Sequence, residues 1–169
     1  MVADTFWRAK TALDALPIEW DNGPNANVSS ETIAEMLREG LSAETEYVGN
    51  RAGDAKGALA KASRVIEADY GFPYQNHAPM EVINATVRWT PERCEMGGPT
   101  QVAEAALDAL AAAAELPVEA CEVHVVRIGG SFGRRLTTEY VTMATRIAKQ
   151  IPGTPVKMMW TREEDMVQG

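Results

Sequence analysis

The apolar positions of this chain change period along its length. Phe6, Trp7, Ala9, Lys10, Leu13 and Leu16 make a helical pattern that Asp4 or Thr5 can cap and Pro17 ends, with Trp7, Leu13 and Leu16 on or near one face. Ile18 to Trp20 reads as a short strand, followed by turn chemistry in Asp21-Asn22-Gly23-Pro24-Asn25. Ser29 or Ser30 opens a second helix, with acid in its first turns and Ile33, Met36, Leu37 and Leu41 at helical spacing. Asn50-Arg51-Ala52-Gly53 is a turn, and Asp54 caps a short helix to Ala62. Residues 64–70 read as a strand. The prolines at 73 and 79 then preclude a regular element between Gly71 and Pro79.

From Asn84 to Thr90, Ala85, Val87 and Trp89 alternate with Thr86 and Arg88, which predicts a half-buried strand. Pro91-Glu92-Arg93 is a turn. After Gly97-Gly98-Pro99 an alanine-rich helix runs from about Gln101 to Leu116, where Pro117 stops it. Cys121 to Ile128 is a strand. Residues 136–150 form a helix, with Tyr140, Met143, Ala144 and Ile147 at i, i+3, i+4 and i+7. Pro155 to Trp160 is a final strand, and Thr161 to Met166 looks like the start of another helix. This order predicts an α+β fold, a mixed sheet with packed helices. No internal repeat or low-complexity linker is evident, and the turn near Asn50 is the expected domain boundary. Because patterned sequence reaches both ends, the chain reads as a piece of a longer one.

Composition narrows the function. The 169 residues are 46% hydrophobic and 24% charged, as in ordinary globular proteins. The formal net charge of −8 argues against a nucleic-acid partner and against an anionic membrane surface. No apolar run is long enough for a membrane span, and no signal-peptide pattern opens the chain. Cys94 and Cys121 are the only cysteines, too few and too far apart to build a zinc or iron–sulfur site by themselves.

The stretch most suggestive of chemistry is Arg127-Ile128-Gly129-Gly130-Ser131-Phe132-Gly133-Arg134-Arg135. Glycines crowd around one aromatic between a strand and a helix. Glycine permits positive φ and a close backbone approach to a ligand, and the N–H groups opening the next helix suit an anion. The two arginines add positive charge to an otherwise acidic chain. By itself the stretch reads equally as a plain strand-to-helix turn.

Taken with Gln75-Asn76-His77-Ala78-Pro79-Met80-Glu81, Pro99-Thr100-Gln101, Pro155-Val156-Lys157 and Trp160 to Met166, however, it resembles a known family. The order and spacing are similar to those of the large subunit of the molybdenum hydroxylases, the relatives of xanthine dehydrogenase and aldehyde oxidase. The branch it most resembles is the isoquinoline 1-oxidoreductase beta subunit, whose glycine loop also runs into paired arginines. The resemblance covers most of the chain, more specifically from Tyr74 to Met166 than from Met1 to Leu41.

The resemblance implies a fragment with residues 1–50 as the tail of a preceding, hammerhead-like domain and 51–169 as the first part of the molybdopterin-binding domain. It implies molybdopterin with molybdenum as the cofactor, approached by Gly130, Phe132 and Gly133 from the glycine loop and by Gln75 as a hydrogen-bond donor. It also implies an iron–sulfur small subunit as partner and hydroxylation of a small aromatic heterocycle or aldehyde with water-derived oxygen. The family's catalytic glutamate lies in a later domain, so the fragment alone is expected to be inactive. The compartment stays open between cytoplasm and periplasm.

Other residues at these motifs have blander readings. His77 and Glu81 can simply satisfy buried backbone groups, since Pro79 between them spoils a helical metal pair. Gln101 either meets a ligand or caps its helix. His124 is expected to face solvent or a polar neighbour. The sequence also departs from the family pattern. Leu136 stands where the purine-oxidising branch carries an acid, which favours a flat heterocycle or an aldehyde. Ser131 replaces the usual glycine, and Gly97-Gly98 replace a bulkier residue. Two rival readings are a non-catalytic remnant or interaction module that kept the fold, and an unrelated phosphate-binding α+β domain.

Overall fold

The computed structural model describes residues 1–44, 47–50 and 52–168. Arg51, within the expected turn at Asn50–Gly53, and Gly169 lie outside the described residues. The chain divides into two compact units, one of Met1–Val2 with Trp7–Tyr74, the other of Ala3–Phe6 with Gln75–Gly169.

The first unit is helical. It holds α1 (Phe6–Asp14, its first residue counted with the other unit), α2 (Ser30–Gly40) and α3 (Ala55–Ala60). Ser29 caps α2 with a reciprocal pair: its hydroxyl accepts from the Thr32 N–H, and its own N–H donates to the Thr32 hydroxyl. The Asp54 carboxylate accepts from the Gly57 N–H and caps α3. The expected strands at Ile18–Trp20 and residues 64–70 do not form. Both segments contain β-favouring residues, but a strand exists only through a ladder partner. Neither segment has one among the described residues.

The second unit is a mixed sheet with helices packed on it, as the α+β reading expects. Its strands are β1 (Asn84–Trp89), β2 (Cys94–Gly98), β3 (Cys121–Val125) and β4 (Val156–Met159), in the order β3-β2-β1-β4. β1 pairs antiparallel with β2 and β4, while β2 pairs in parallel with β3 through the crossover helix α4 (Ala103–Ala114). Ala85 and Val87 of β1 and Cys94 and Met96 of β2 are fully buried. They form one core with Leu110 and Ala114 of α4 and with Tyr140, Val141 and Ala144 of α5 (Glu139–Ala148). The alanines of α4 let its backbone approach α5 and β3 closely. Glu115, at φ 58, closes that helix in the left-handed conformation. A last helix, α6 (Arg162–Gln168), follows β4.

Sequence reasoning missed β2. Gly97 and Gly98 depress strand propensity and looked like loop. In the sheet Gly98 has a reason to be glycine, because a Cβ there would lie 2.7 Å from the Met96 methyl carbon. β3 ends at Val125 instead of Ile128, and α5 begins at Glu139 instead of Leu136. The irregular segment between them is therefore longer than the pattern suggested. On the exposed face of the sheet, Glu122 and His124 meet Glu95 and Arg93 in a surface ion cluster, so His124 does face polar neighbours.

Cys94 and Cys121 are register partners on β2 and β3, and both are free thiols. Burial, with Cys121 and Glu95 nearby, pushes the Cys94 thiol up to about 12, and burial also raises Cys121. A thiol must ionise to react. Cys94 is therefore expected to resist iodoacetamide at pH 8 in the folded protein and to label only after denaturation. Mass-spectrometric labelling at equal rates in native and denatured protein would contradict its placement in the core.

Candidate functional site

The glycine stretch forms an irregular loop between β3 and α5, as its spacing predicts. Gly130 and Gly133 take φ of 99° and 102°, and Phe132 between them takes 57°. The loop runs antiparallel to the proline-rich segment that precedes β1. Gly129 and Glu81 exchange two hydrogen bonds: the Glu81 N–H donates to the Gly129 carbonyl (3.0 Å), and the Gly129 N–H donates to Glu81 Oε2 (2.7 Å). Further along, a Cβ on Gly130 would sit 3.3 Å from Pro79 Cβ, and one on Gly133 would sit 3.6 Å from His77 Nε2. Two of the motifs distant in sequence are thus neighbours in space.

The third motif closes the arrangement. The Gln101 N–H donates to the Arg135 carbonyl (3.2 Å), and Gln101 Oε1 accepts from the Ser131 hydroxyl (2.5 Å) and the Arg135 N–H (3.2 Å). Gln101 therefore ties helix entry to loop and does not serve as a simple cap. Ser131 is buried, and its hydroxyl also accepts from the Arg135 N–H (3.1 Å). The departure from glycine at this position has a structural use.

The two arginines do not supply the exposed positive charge that their place in the sequence suggests. Arg135 is 0% exposed and reaches back under the loop. Its Nη2 donates to the Glu81 carbonyl (2.9 Å) and the Val82 carbonyl (3.3 Å), and its Nε donates to the Gly130 carbonyl (3.4 Å). The Glu81 carboxylate lies 3.3 Å from Nη2 as counter-charge. Arg134 is 5% exposed, stacks 5.2 Å from the Trp160 ring centroid, and pairs with Glu139 at 2.6 Å. Chain connectivity explains both. The loop turns sharply enough that the residues after Gly133 point into the unit, where each charge is paired with a carboxylate, although Arg134 Nε and Nη2 find no hydrogen-bond partner.

Burial pushes the Glu81 carboxyl up. The hydrogen bonds from Asn84 and Gly129, with the charges of Arg135 and Lys157, outweigh it and hold the group below the usual carboxylate range.

The expected contact residues fall as follows. Gly130, Phe132 and Gly133 share one loop, with the Phe132 side chain projecting outward at 78% exposure. Gln75 is also exposed, two residues before His77 on the facing segment. That segment is anchored from its other side by α6 and the residues beside it. Asn76 Nδ2 donates to the Met166 carbonyl (2.6 Å), and Arg162 donates to the carbonyls of Pro79 and Met80. A cleft of about 270 Å³, lined by His77, Gly133, Arg134, Thr137, Glu139 and Gln168, opens where loop, segment and helix meet. Among the described residues, no backbone N–H from Gly130 to Gly133 donates to a carbonyl or a side chain. Consecutive free amides around residues at positive φ form a concavity suited to electron-rich ligand atoms. The loop therefore fits an anionic or oxo-bearing cofactor.

The reading of Glu81 as a residue that satisfies a backbone group holds at the Gly129 N–H, but sequence reasoning missed its link to Arg135 and the fastening roles of Arg135 and Ser131. An acid closing a proline-rich loop and an arginine following a glycine run are weak signals until the two segments are seen side by side.

Fold and loop together define a cofactor-binding module of α+β type, in which backbone amides of one loop are left without protein partners beside a cleft. The chain belongs to the molybdopterin cofactor-binding domain family, whose model matches residues 41–169. It is 29% identical over 168 residues to the membrane-bound aldehyde dehydrogenase [pyrroloquinoline-quinone] of Gluconacetobacter polyoxogenes, covering 98% of this chain and 22% of that protein. It is 25% identical over 162 residues to the aldehyde oxidoreductase molybdenum-binding subunit PaoC of Escherichia coli K12, covering 96% of this chain and 22% of the subunit. Quinoline 2-oxidoreductase from Pseudomonas putida 86 shares the fold, with a TM-score of 0.57 at 22% identity over 66% of this chain and 14% of that one. The chain thus spans about a fifth of the length of the curated relatives it matches. The cofactor of the family is molybdopterin, with molybdenum.

Proposed function

We propose that this chain forms one wall of the molybdenum centre of an oxidoreductase that hydroxylates a small aromatic N-heterocycle or an aldehyde with water-derived oxygen. Gly130, Phe132 and Gly133 would contact the cofactor from the loop, and Gln75 would donate a hydrogen bond to it from the facing segment. The observation that carries this reading is the set of unpartnered amides from Gly130 to Gly133 around an exposed aromatic held at positive φ. When bound, the molybdenum cofactor supplies a two-electron redox centre. The chain's own contribution is to orient that group with fixed dipoles and to shape the approach to it. Leu136, half exposed just after the loop, offers an apolar surface where purine recognition would need a charged or hydrogen-bonding group. A flat heterocycle or an aldehyde suits it better.

Electrons would leave through an iron–sulfur small subunit, since the two free thiols here are too few to hold a cluster. Residues 1–50 would be the tail of a preceding hammerhead-like domain, and 51–169 the first part of the cofactor domain. The general base of the reaction would come from outside this stretch, so the 169-residue chain alone would be inactive.

The test compares the 169-residue chain with the intact enzyme carrying it. Elemental analysis should find molybdenum near one atom per polypeptide only in the intact enzyme, together with aldehyde or isoquinoline oxidation. Stoichiometric molybdenum and turnover in the 169-residue chain alone would overturn the division of labour. An intact enzyme that turns over without molybdenum would overturn the reading itself.

A further inference from the structure

We propose that Glu81 is a positioning residue for the glycine loop, its carboxylate fastening Gly129 and Arg135 so that the free amides from Gly130 to Gly133 keep one arrangement. The proposal rests on the reading of that loop as the cofactor contact. Glu81 touches the loop in four ways. The Glu81 N–H and carboxylate both bond to Gly129, its carbonyl accepts from Arg135, and its Oε2 lies 3.3 Å from the Arg135 guanidinium. Asn84 Nδ2 donates to Oε1 (3.0 Å), which fixes the carboxylate from the side of β1. The loop is thereby referenced to the first residue of a central strand of the sheet.

The residue types fit only this use. A Cβ on Gly129 would stand 2.6 Å from Glu81 Cβ, so glycine is required there because Glu81 lies against it. Arg135 is fully buried and Nη1 has no hydrogen-bond partner, so its charge depends on the Glu81 carboxylate. Glu81 itself is 31% exposed at its side chain and stands outside the hydrophobic core. Its removal should therefore loosen the loop most, while the Arg135 charge left without its counter-ion lowers the stability of the whole unit by a smaller margin. A prop for general stability would instead be expected to act on the core it supports.

The experiment is amide hydrogen exchange on the intact protein, read by peptide mass spectrometry, for wild type, Glu81→Ala and Glu81→Gln. Molybdenum content is measured on the same samples. In Glu81→Ala, peptides within 126–136 should exchange faster by about tenfold or more, as expected when a charge-assisted hydrogen bond is lost, while peptides from β1 and α5 speed up clearly less. Glu81→Gln keeps an acceptor for the Gly129 N–H but not the ion pair. It should give an intermediate loop rate and recover part of the molybdenum lost in Glu81→Ala. Loop exchange in Glu81→Ala within about twofold of wild type would overturn the proposal. So would an acceleration spread equally over β1 and α5, or a Glu81→Gln variant no better than alanine. A loosened loop with wild-type molybdenum content would uphold the fastening and remove the loop from the cofactor site, which separates the two claims.

Discussion

Arg135→Ala is expected to lower the stability of the Gln75–Gly169 unit by about 3–5 kcal/mol, the range for breaking a buried, hydrogen-bonded charge pair. The guanidinium is the largest fully buried side chain, and it supplies donors to the carbonyls of Glu81, Val82 and Gly130. Truncation leaves those carbonyls short of a partner, takes the counter-charge from the Glu81 carboxylate and opens a cavity. A hydrophobic replacement such as Arg135→Met would fill the space but not restore the donors. Arg135→Lys would restore the charge but not the planar fork that reaches two segments at once. Both should therefore recover only part of the loss. Urea unfolding followed through Trp89 and Trp160, which sit in or against the same core, reads the effect directly. A loss under about 1 kcal/mol for Arg135→Ala would mean that the buried guanidinium contributes no more than a typical surface contact.

The same residue illustrates what the sequence made legible and what it hid. The β1 alternation, the alanine-rich crossover helix and the period of α5 are local signals, and each element appears in the structure. The glycine loop was legible because positive φ imposes a residue type, and Gly130 and Gly133 both use it. The direction in which Arg134 and Arg135 point was not. It depends on a turn whose exit is set by contacts with Glu81 and Gln101, which lie far away in sequence. Strand β2 stayed hidden for the complementary reason. Its glycines are poor strand formers, and only the neighbouring Ala85 and Met96 make a small residue at Gly98 useful. The supposed strands at Ile18–Trp20 and 64–70 failed in the opposite sense, having propensity without a ladder partner.

Phe132→Gly should separate stability from function. A bulky residue at φ 57° is held in a region that costs L-residues roughly 1–2 kcal/mol, and its ring is 78% exposed, so little burial offsets that cost. Glycine would relieve the strain while giving the unfolded chain more freedom, two effects of similar size. Stability should therefore stay within about 1 kcal/mol of wild type. Activity should not. An exposed aromatic kept in a strained conformation has no folding rationale, and the cofactor or substrate contact proposed for it would supply one. In the loaded intact enzyme the ring would shape the substrate's approach, and displacing a reacting atom by about 1 Å can cost roughly a hundredfold in rate. His77→Ala is the control from the facing segment. Its imidazole lies beside Gly133 but is not held on a strained backbone, so it should cost less. Rate and molybdenum content have to be measured together, because a variant that loses the cofactor would otherwise look like one that loses the chemistry. A Phe132→Gly enzyme that keeps its molybdenum and its rate, or a larger loss at His77 at equal loading, would place the substrate's approach on the proline-rich segment instead of the glycine loop.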